Sequence, residues 1–450
     1  MNHDVSFQLT GDPTFNSTKI QKVALILIGI GSAFIFSALF GLGSVYPVTC
    51  FVIGYGGLII GGMLFIFQEF KNKIPGIKNN GVMFNSATAK GAFSWILGIF
   101  LTTFYIILYW FGDKLSSLNM TLDWLSFLIR NKPSDQWFLY GVCYSLAVLI
   151  MGIRMILKYK HSPYQIRRTL SVMFFQLFFA FLIPHLLELF NQKEFYFTYF
   201  WPLKYQYFFP NDIKSISESG GLGVFMVRWS MAMSFIGVPI LTYFFGKRWY
   251  CSWVCGCGGL AETLGDPFRQ LSDKSVKAWK IERWMIHTIL LIIIITTTIV
   301  WINSATKGSL LEDASDLSSK WYGFFIGSLF SGVIGVGFYP IMGSRVWCRF
   351  GCPQAAILGI IQKYFSRFRI TTNGGQCISC GNCSTYCEMG IDVRSYAQRG
   401  ENIIRSSCVG CGICSAVCPR GVLNLENGPI NSRYNGEQLT SNYKLNSHID

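Results

Sequence analysis

Runs of apolar residues near the length needed to cross a bilayer core, roughly 20 residues, recur along the chain and are separated by short polar segments. The pattern predicts membrane helices at about 23–44, 46–67, 92–111, 137–157, 169–190, 223–245, 285–303 and 321–342. The polar start Met1-Asn-His-Asp-Val lacks the short apolar core and small-residue cleavage site of a removable signal. Glycines in the first two spans (Gly29, Gly31, Gly41, Gly43; Gly54, Gly56, Gly57, Gly61, Gly62) predict close packing of helices. After the eighth run the apolar pattern stops. The last quarter of the chain is polar and rich in cysteine.

Composition changes this picture little. Hydrophobic residues make up 51% of the 450 and charged ones 14%. The formal net charge of +15 suggests nucleic acid at first sight. Lys and Arg, however, cluster in segments on the N-terminal side of the expected membrane. The positive-inside rule explains that asymmetry without nucleic acid. It also predicts that the chain is multi-pass in the inner (cytoplasmic) membrane with its cysteine-rich tail in the cytoplasm, where thiols stay reduced. Of the 15 cysteines, 13 sit in motifs. Cys50 and Cys143 fall inside spans and read as small core residues.

The chemistry is concentrated in two runs, Cys377-x2-Cys380-x2-Cys383-x3-Cys387 and Cys408-x2-Cys411-x2-Cys414-x3-Cys418-Pro419. This spacing wraps the backbone around a [4Fe–4S] cubane, with the fourth cysteine of each run serving the other cluster. Cys377, Cys380, Cys383 and Cys418 are therefore assigned to one cluster, and Cys408, Cys411, Cys414 and Cys387 to a second. Zinc sites join separated Cys-x2-Cys pairs, which a crowded triplet does not resemble. The first run ends Cys387-Glu388 where the second has Cys-Pro. Proline is not a ligand, so the assignment is unaffected.

A further unit is repeated 97 residues apart. Gly246-Lys-Arg248-Trp-Tyr-Cys251-x3-Cys255 matches Gly343-Ser-Arg345-Val-Trp-Cys348-x3-Cys352-Pro353. Cys-x3-Cys on a helix would place two sulfurs on one face, and two such pairs could converge on one site. Arg248 and Arg345 are expected to offset thiolate charge there. Three readings stand: a third metal or iron–sulfur centre among Cys251, Cys255, Cys257, Cys348 and Cys352, paired thiols that exchange electrons or pack, or residues that only brace the inner ends of the helices. The first copy continues Cys255-Gly256-Cys257-Gly258, without proline and with an extra cysteine, so the choice between Cys255 and Cys257 stays open.

These paired motifs resemble the NapH/NosR/CcoG group of membrane-bound polyferredoxins over residues 165–428. The resemblance implies transmembrane helices, two Cys-x3-Cys elements at the cytoplasmic face and a cytoplasmic two-cluster domain. It also implies electron transfer linked to the quinone pool or to a redox protein partner. Two rival functions are a maturation factor that reduces a metal during oxidase assembly and a redox-sensing scaffold. Ionisable residues in spans point to function by default. His185, Glu188 and Arg228 are thus candidates for a quinone or proton site, weighed against a structural Glu188–Arg228 pair. The expected fold class is an α-helical integral membrane protein of about eight transmembrane helices with a C-terminal α+β dicluster ferredoxin-like domain. The expected divisions are a four-helix region (1–160), a core membrane region (161–342), a connector (343–376), the ferredoxin domain (377–428) and a polar tail (429–450).

Overall fold

The computed structural model describes residues 18–71, 91–308 and 311–429. Seven helices in it are long and apolar enough to cross a membrane: α1 (Lys19–Val45), α2 (Pro47–Phe70), α3 (Ala92–Trp110), α4 (Gln136–Lys158), α5 (Pro163–Leu189), α6 (Gly221–Phe245) and α7 (Val276–Ala305). Three start on side-chain caps that satisfy otherwise orphaned N–H groups. Thr18 forms a capping box with Gln21, Asp135 accepts from Phe138 N at 2.7 Å, and Ser275 accepts from Ala278 N at 3.1 Å. The segment expected as an eighth span is helical but broken. It runs as Glu312–Trp321, a wide π-helical stretch Tyr322–Ile334, then the short turns Gly335–Gly337 and Tyr339–Met342. Its glycines and Pro340 account for the interruptions.

Small residues set the helix spacing. A Cβ on Gly31 would lie 2.7 Å from Gly54 O, and one on Gly57 would lie 2.9 Å from Leu27 O. The α1–α2 contact thus depends on backbone touching backbone, as the glycine pattern predicts. Around the bundle, apolar side chains face outward: Ile26, Ile96, Ile99, Phe100 and Leu291 are all more than half exposed. A belt of this extent marks a membrane-associated surface.

After the broken run, helix α8 (Pro353–Tyr364) leads into strand β1 (Phe368–Thr372), which pairs antiparallel with β2 (Leu423–Asn427). Ile370 lies opposite Leu425 and also bridges Ile403. The cysteine loops sit between these strands. Phe368, Ile370, Ile391, Val409 and Leu423 share one core with Tyr250, Cys251 and Cys255. The small domain and the ends of the helices are therefore packed as one body.

Candidate functional site

The dicluster loops have a twofold plan that local sequence imposes. Gly381 and Gly412, each following the second cysteine of its run, have φ of 79° and 75°. Ser379 and Gly410 precede those cysteines, also in the left-handed region, at 58° and 61°. The short helices Asn382–Thr385 and Ile413–Ala416 then carry Cys383 and Cys414 inward. A surface pocket is lined by Cys377, Cys380, Cys383 and Cys418, the set expected to share a cluster. Cys414 is buried with Cys411, Cys408 and Cys387, the second expected set, near it, and Cys383 of the first set is also within reach.

The two sets differ in depth. Cys380 is exposed, whereas Cys408 and Cys414 are buried. Backbone carbonyls of the second loop are gripped from below. Tyr164 Oη donates to Gly410 O at 2.8 Å, Gln165 Nε2 to Cys411 O at 2.9 Å, Ser252 Oγ to Val409 O at 2.8 Å and Gln362 Nε2 to Cys408 O at 2.7 Å. Burial pushes the Cys383 thiol up to about 12 and the Cys408 thiol up to about 11. Without a metal these sulfurs hold their protons; a bound cation is what makes thiolates affordable there.

The repeated elements do converge, but not as continuous helices. Cys251 closes the turn Arg248–Cys251, and Cys255 is extended at the start of the helix Gly256–Glu262. Cys348 lies in the turn Trp347–Gly351, and Cys352 is extended at the start of α8, accepting from Ala355 N at 3.4 Å. A helix start offers N–H groups to each second cysteine. Arg345 ties the pairs together, donating to Cys251 O at 3.1 Å and reaching Cys348 Sγ at 3.6 Å. Cys352 feels Cys348, Cys255 and Cys251, and Cys257 packs against both groups. Hydrogen-bond donation from the Cys257 thiol lowers Cys255 to about 7, while burial pushes Cys251 up to about 12.

Arg248 does not join this site. Its guanidinium lies over Phe368 at 4.7 Å and Tyr164 at 5.8 Å, because its element faces the small domain. Gly256, standing where the second copy has Pro353, has a physical reason. A Cβ there would lie 2.4 Å from Tyr199 Oη and 3.2 Å from Gln176 Oε1.

Beneath the sulfurs lies a buried charge lattice that sequence reasoning missed. Glu262 pairs with Arg168, with Arg269 and, at 2.6 Å, with Arg345. Glu388 pairs with Arg269 at 2.7 Å and Arg345 at 3.0 Å. Asp266 pairs with Lys158 at 2.7 Å, Arg154 at 2.8 Å and Arg269 at 2.9 Å. Burial opposes ionisation of Glu262, yet Arg168, Arg269 and Arg345 together hold it well below the usual carboxylate range. Burial raises Glu388, with repulsion from Glu262 adding to it. The position that lacks the proline of Cys-Pro thus locks the dicluster domain to the helix ends. Arg154 inside the expected fourth span was the available signal.

The expected Glu188–Arg228 pair is not formed. Glu188 is held by Lys132 at 3.0 Å and Arg130 at 3.3 Å, while Arg228 is exposed. The loop 112–136 folds back over the end of α5 and supplies both cations. His185 is buried and faces Glu194, 3.5 Å away. This group sits at the end of the bundle away from the cysteines. The geometry therefore separates His185 and Glu188 from the sulfur sites.

Comparison with known proteins agrees with the cysteine geometry. A family described as a 4Fe-4S dicluster domain matches residues 376–423, and one described as a 4Fe-4S binding domain matches twice, at 227–275 and 323–372. The two latter matches cover the two copies of the repeat. The chain is similar to the putative electron transport protein YccM of Escherichia coli, 27% identical over 37% of this chain and 48% of that protein. It is also similar to the methylamine utilization ferredoxin-type protein MauN of Methylobacillus flagellatus, 26% identical over 32% of this chain and 50% of that protein. The chain spans about half the length of these curated relatives. No solved structure matches it. These likenesses support iron–sulfur electron transfer.

Proposed function

We propose that the protein is a membrane-embedded electron relay whose cytoplasmic dicluster domain exchanges electrons with a centre in the helix ends, and through it with membrane quinone or a redox partner. In this reading Cys377, Cys380, Cys383 and Cys418 hold one [4Fe–4S] cluster and Cys387, Cys408, Cys411 and Cys414 hold the other. Cys251, Cys348 and Cys352, with Cys255 or Cys257, hold a third centre. The donor sets fit: soft sulfurs crowd each site, and burial keeps the Cys251, Cys383 and Cys408 thiols protonated until iron arrives. Bound clusters supply one-electron chemistry at potentials that charge and hydrogen bonds around the sulfurs adjust.

The chain's own residues do the positioning. Tyr164, Gln165, Ser252 and Gln362 seat the buried loop on the repeated elements. Arg345 and Arg269 bring fixed positive charge against the sulfurs and Glu388. The outer set keeps Cys380 at the surface for a soluble partner. The observation that carries the proposal is this seating, with the deep cysteine loop pressed against Ser252 and Arg248 of the first element.

The test is reconstitution of full-length protein in lipid nanodiscs, with iron–sulfur absorbance followed after addition of a reduced quinol or of dithionite. Bleaching by either reductant, diminished in Cys414→Ser, is expected. Absence of any bleaching in iron-loaded protein rules the relay out.

A further inference from the structure

The geometry points to a docking face for a small acidic one-electron carrier protein on the rim of the outer cluster, with Arg394 and Arg420 as its anchors. This assignment rests on the reading above that Cys377, Cys380, Cys383 and Cys418 hold a [4Fe–4S] cluster, and it states the chemistry of the partner that this cluster faces. Arg394 and Arg420 line the same pocket as those four sulfurs, and both are exposed. Arg394 reaches toward the cysteine loop. A Cβ on Gly381, next to Cys380, would lie 3.8 Å from its Nη1.

Charge and apolar surface together define the face. The nearby acids are engaged elsewhere: Glu401 pairs with Arg399 at 2.9 Å, and Asp392 accepts from Ser384 Oγ at 2.7 Å. Among the described residues no ion pair engages Arg394 or Arg420. Between them lies apolar surface. Ile378, flanked by Cys377 and Cys380, is 56% exposed, and Pro419 is exposed beside Cys418. An apolar centre with a charged rim that favours arginine is the anatomy of a protein interface. The deep loop is covered by the helix ends, but the first loop's side-chain bonds stay within its own domain, as from Gln398 Nε2 to Ser379 Oγ at 2.8 Å. Its outer side is left for a soluble protein. A thiolate-ligated cubane is itself negative and would repel an acidic carrier; the two arginines reverse that sign at the rim and steer carboxylates toward it. One electron then leaves the carrier's reduced centre and enters the oxidised outer cluster, with no bond made or broken.

The experiment follows association of two probes with iron-loaded, full-length protein in phosphatidylcholine nanodiscs by surface plasmon resonance. One probe is a plant-type [2Fe–2S] ferredoxin, an acidic carrier, and the other is cytochrome c, a basic one. Ferredoxin should associate faster, and Arg394→Glu combined with Arg420→Glu should slow it about tenfold at low salt, with the gap closing as salt rises. Lysine at both positions should restore most of the rate. Lys277→Glu, an equal charge change on the exposed start of α7, should leave it as it is. Bound ferredoxin should also protect Arg394 and Arg420 from phenylglyoxal, read by peptide mass. Wild-type association in the double variant overturns the site, as does equal slowing by Lys277→Glu or a preference for cytochrome c. A shifted cluster midpoint with unchanged association overturns it too, leaving the arginines as counter-charges to the cluster. Protection by phosphatidylglycerol nanodiscs but not by ferredoxin overturns it in favour of a lipid surface. Each of these results leaves the relay standing, whereas wild-type protein that holds no iron overturns both.

Discussion

The two copies of the Cys-x3-Cys unit begin alike and end differently. Gly246 and Gly343 open them with φ of 69° and 91°, and each presents an arginine two residues on. The first arginine lies on the rings of Phe368 and Tyr164 and fastens the small domain; the second enters the charge lattice and touches Cys348. After the second cysteine, one copy uses Pro353 to start α8, and the other uses Gly256 to make room for Tyr199. Duplication supplies equal residues, and the neighbours each copy meets divide the work between them.

The largest expected contrast is between the arginines. Arg345→Leu strips one partner from both Glu262 and Glu388 in a dry interior, a loss of about 3–5 kcal/mol. Arg248→Leu removes ring contacts and one exposed hydrogen bond to Phe245 O at 3.1 Å, about 0.5–2 kcal/mol. Thermal unfolding in detergent, read by tryptophan fluorescence, ranks them; equal losses would mean the lattice carries no special weight. Next come the residues after the cysteines. Gly256→Ala should lose about 1–3 kcal/mol through overpacking against Tyr199 and regain part of it with Tyr199→Phe. Pro353→Ala should lose less, about 0.4–1 kcal/mol.

A smaller effect separates the thiols. In iron-depleted full-length protein, alkylation of Cys255 should rise as pH passes about 7, because a donated Cys257 S–H stabilises its thiolate. Cys251, held near 12 by burial, should stay inert through neutral pH. Cys257→Ala should move the Cys255 step to higher pH, and mass spectrometry of alkylated peptides reads the shift. The smallest effect is a control at the far end. The Lys320–Asp316 pair is exposed, so Lys320→Ala should change stability by less than about 1 kcal/mol.

How much of this the residues announce depends on how local each feature is. The dicluster motif is legible because spacing alone puts three sulfurs on one loop, and the structure places Cys418 beside Cys377, Cys380 and Cys383. The helices are legible from length and apolarity, although glycines in 322–337 break the last run in a way that hydropathy does not register. The charge lattice is not legible. Glu262, Asp266, Arg269 and Glu388 look like ordinary loop charges until helices α4 and α5 bring Arg154, Lys158 and Arg168 to them. The partners of Glu188 failed for the same reason, since a loop some 55 residues upstream supplies them. The repeat is visible in sequence, but the division of labour between Arg248 and Arg345 is not.

The centre shared by the two copies is tested most directly by counting iron and acid-labile sulfide in anaerobically purified full-length protein. The count is repeated on Cys251→Ser and Cys348→Ser, with EPR of the reduced samples. The account predicts that either substitution removes one centre's iron and its signal while the two dicluster signals persist. Iron content and spectra identical to the wild type in both variants would contradict it.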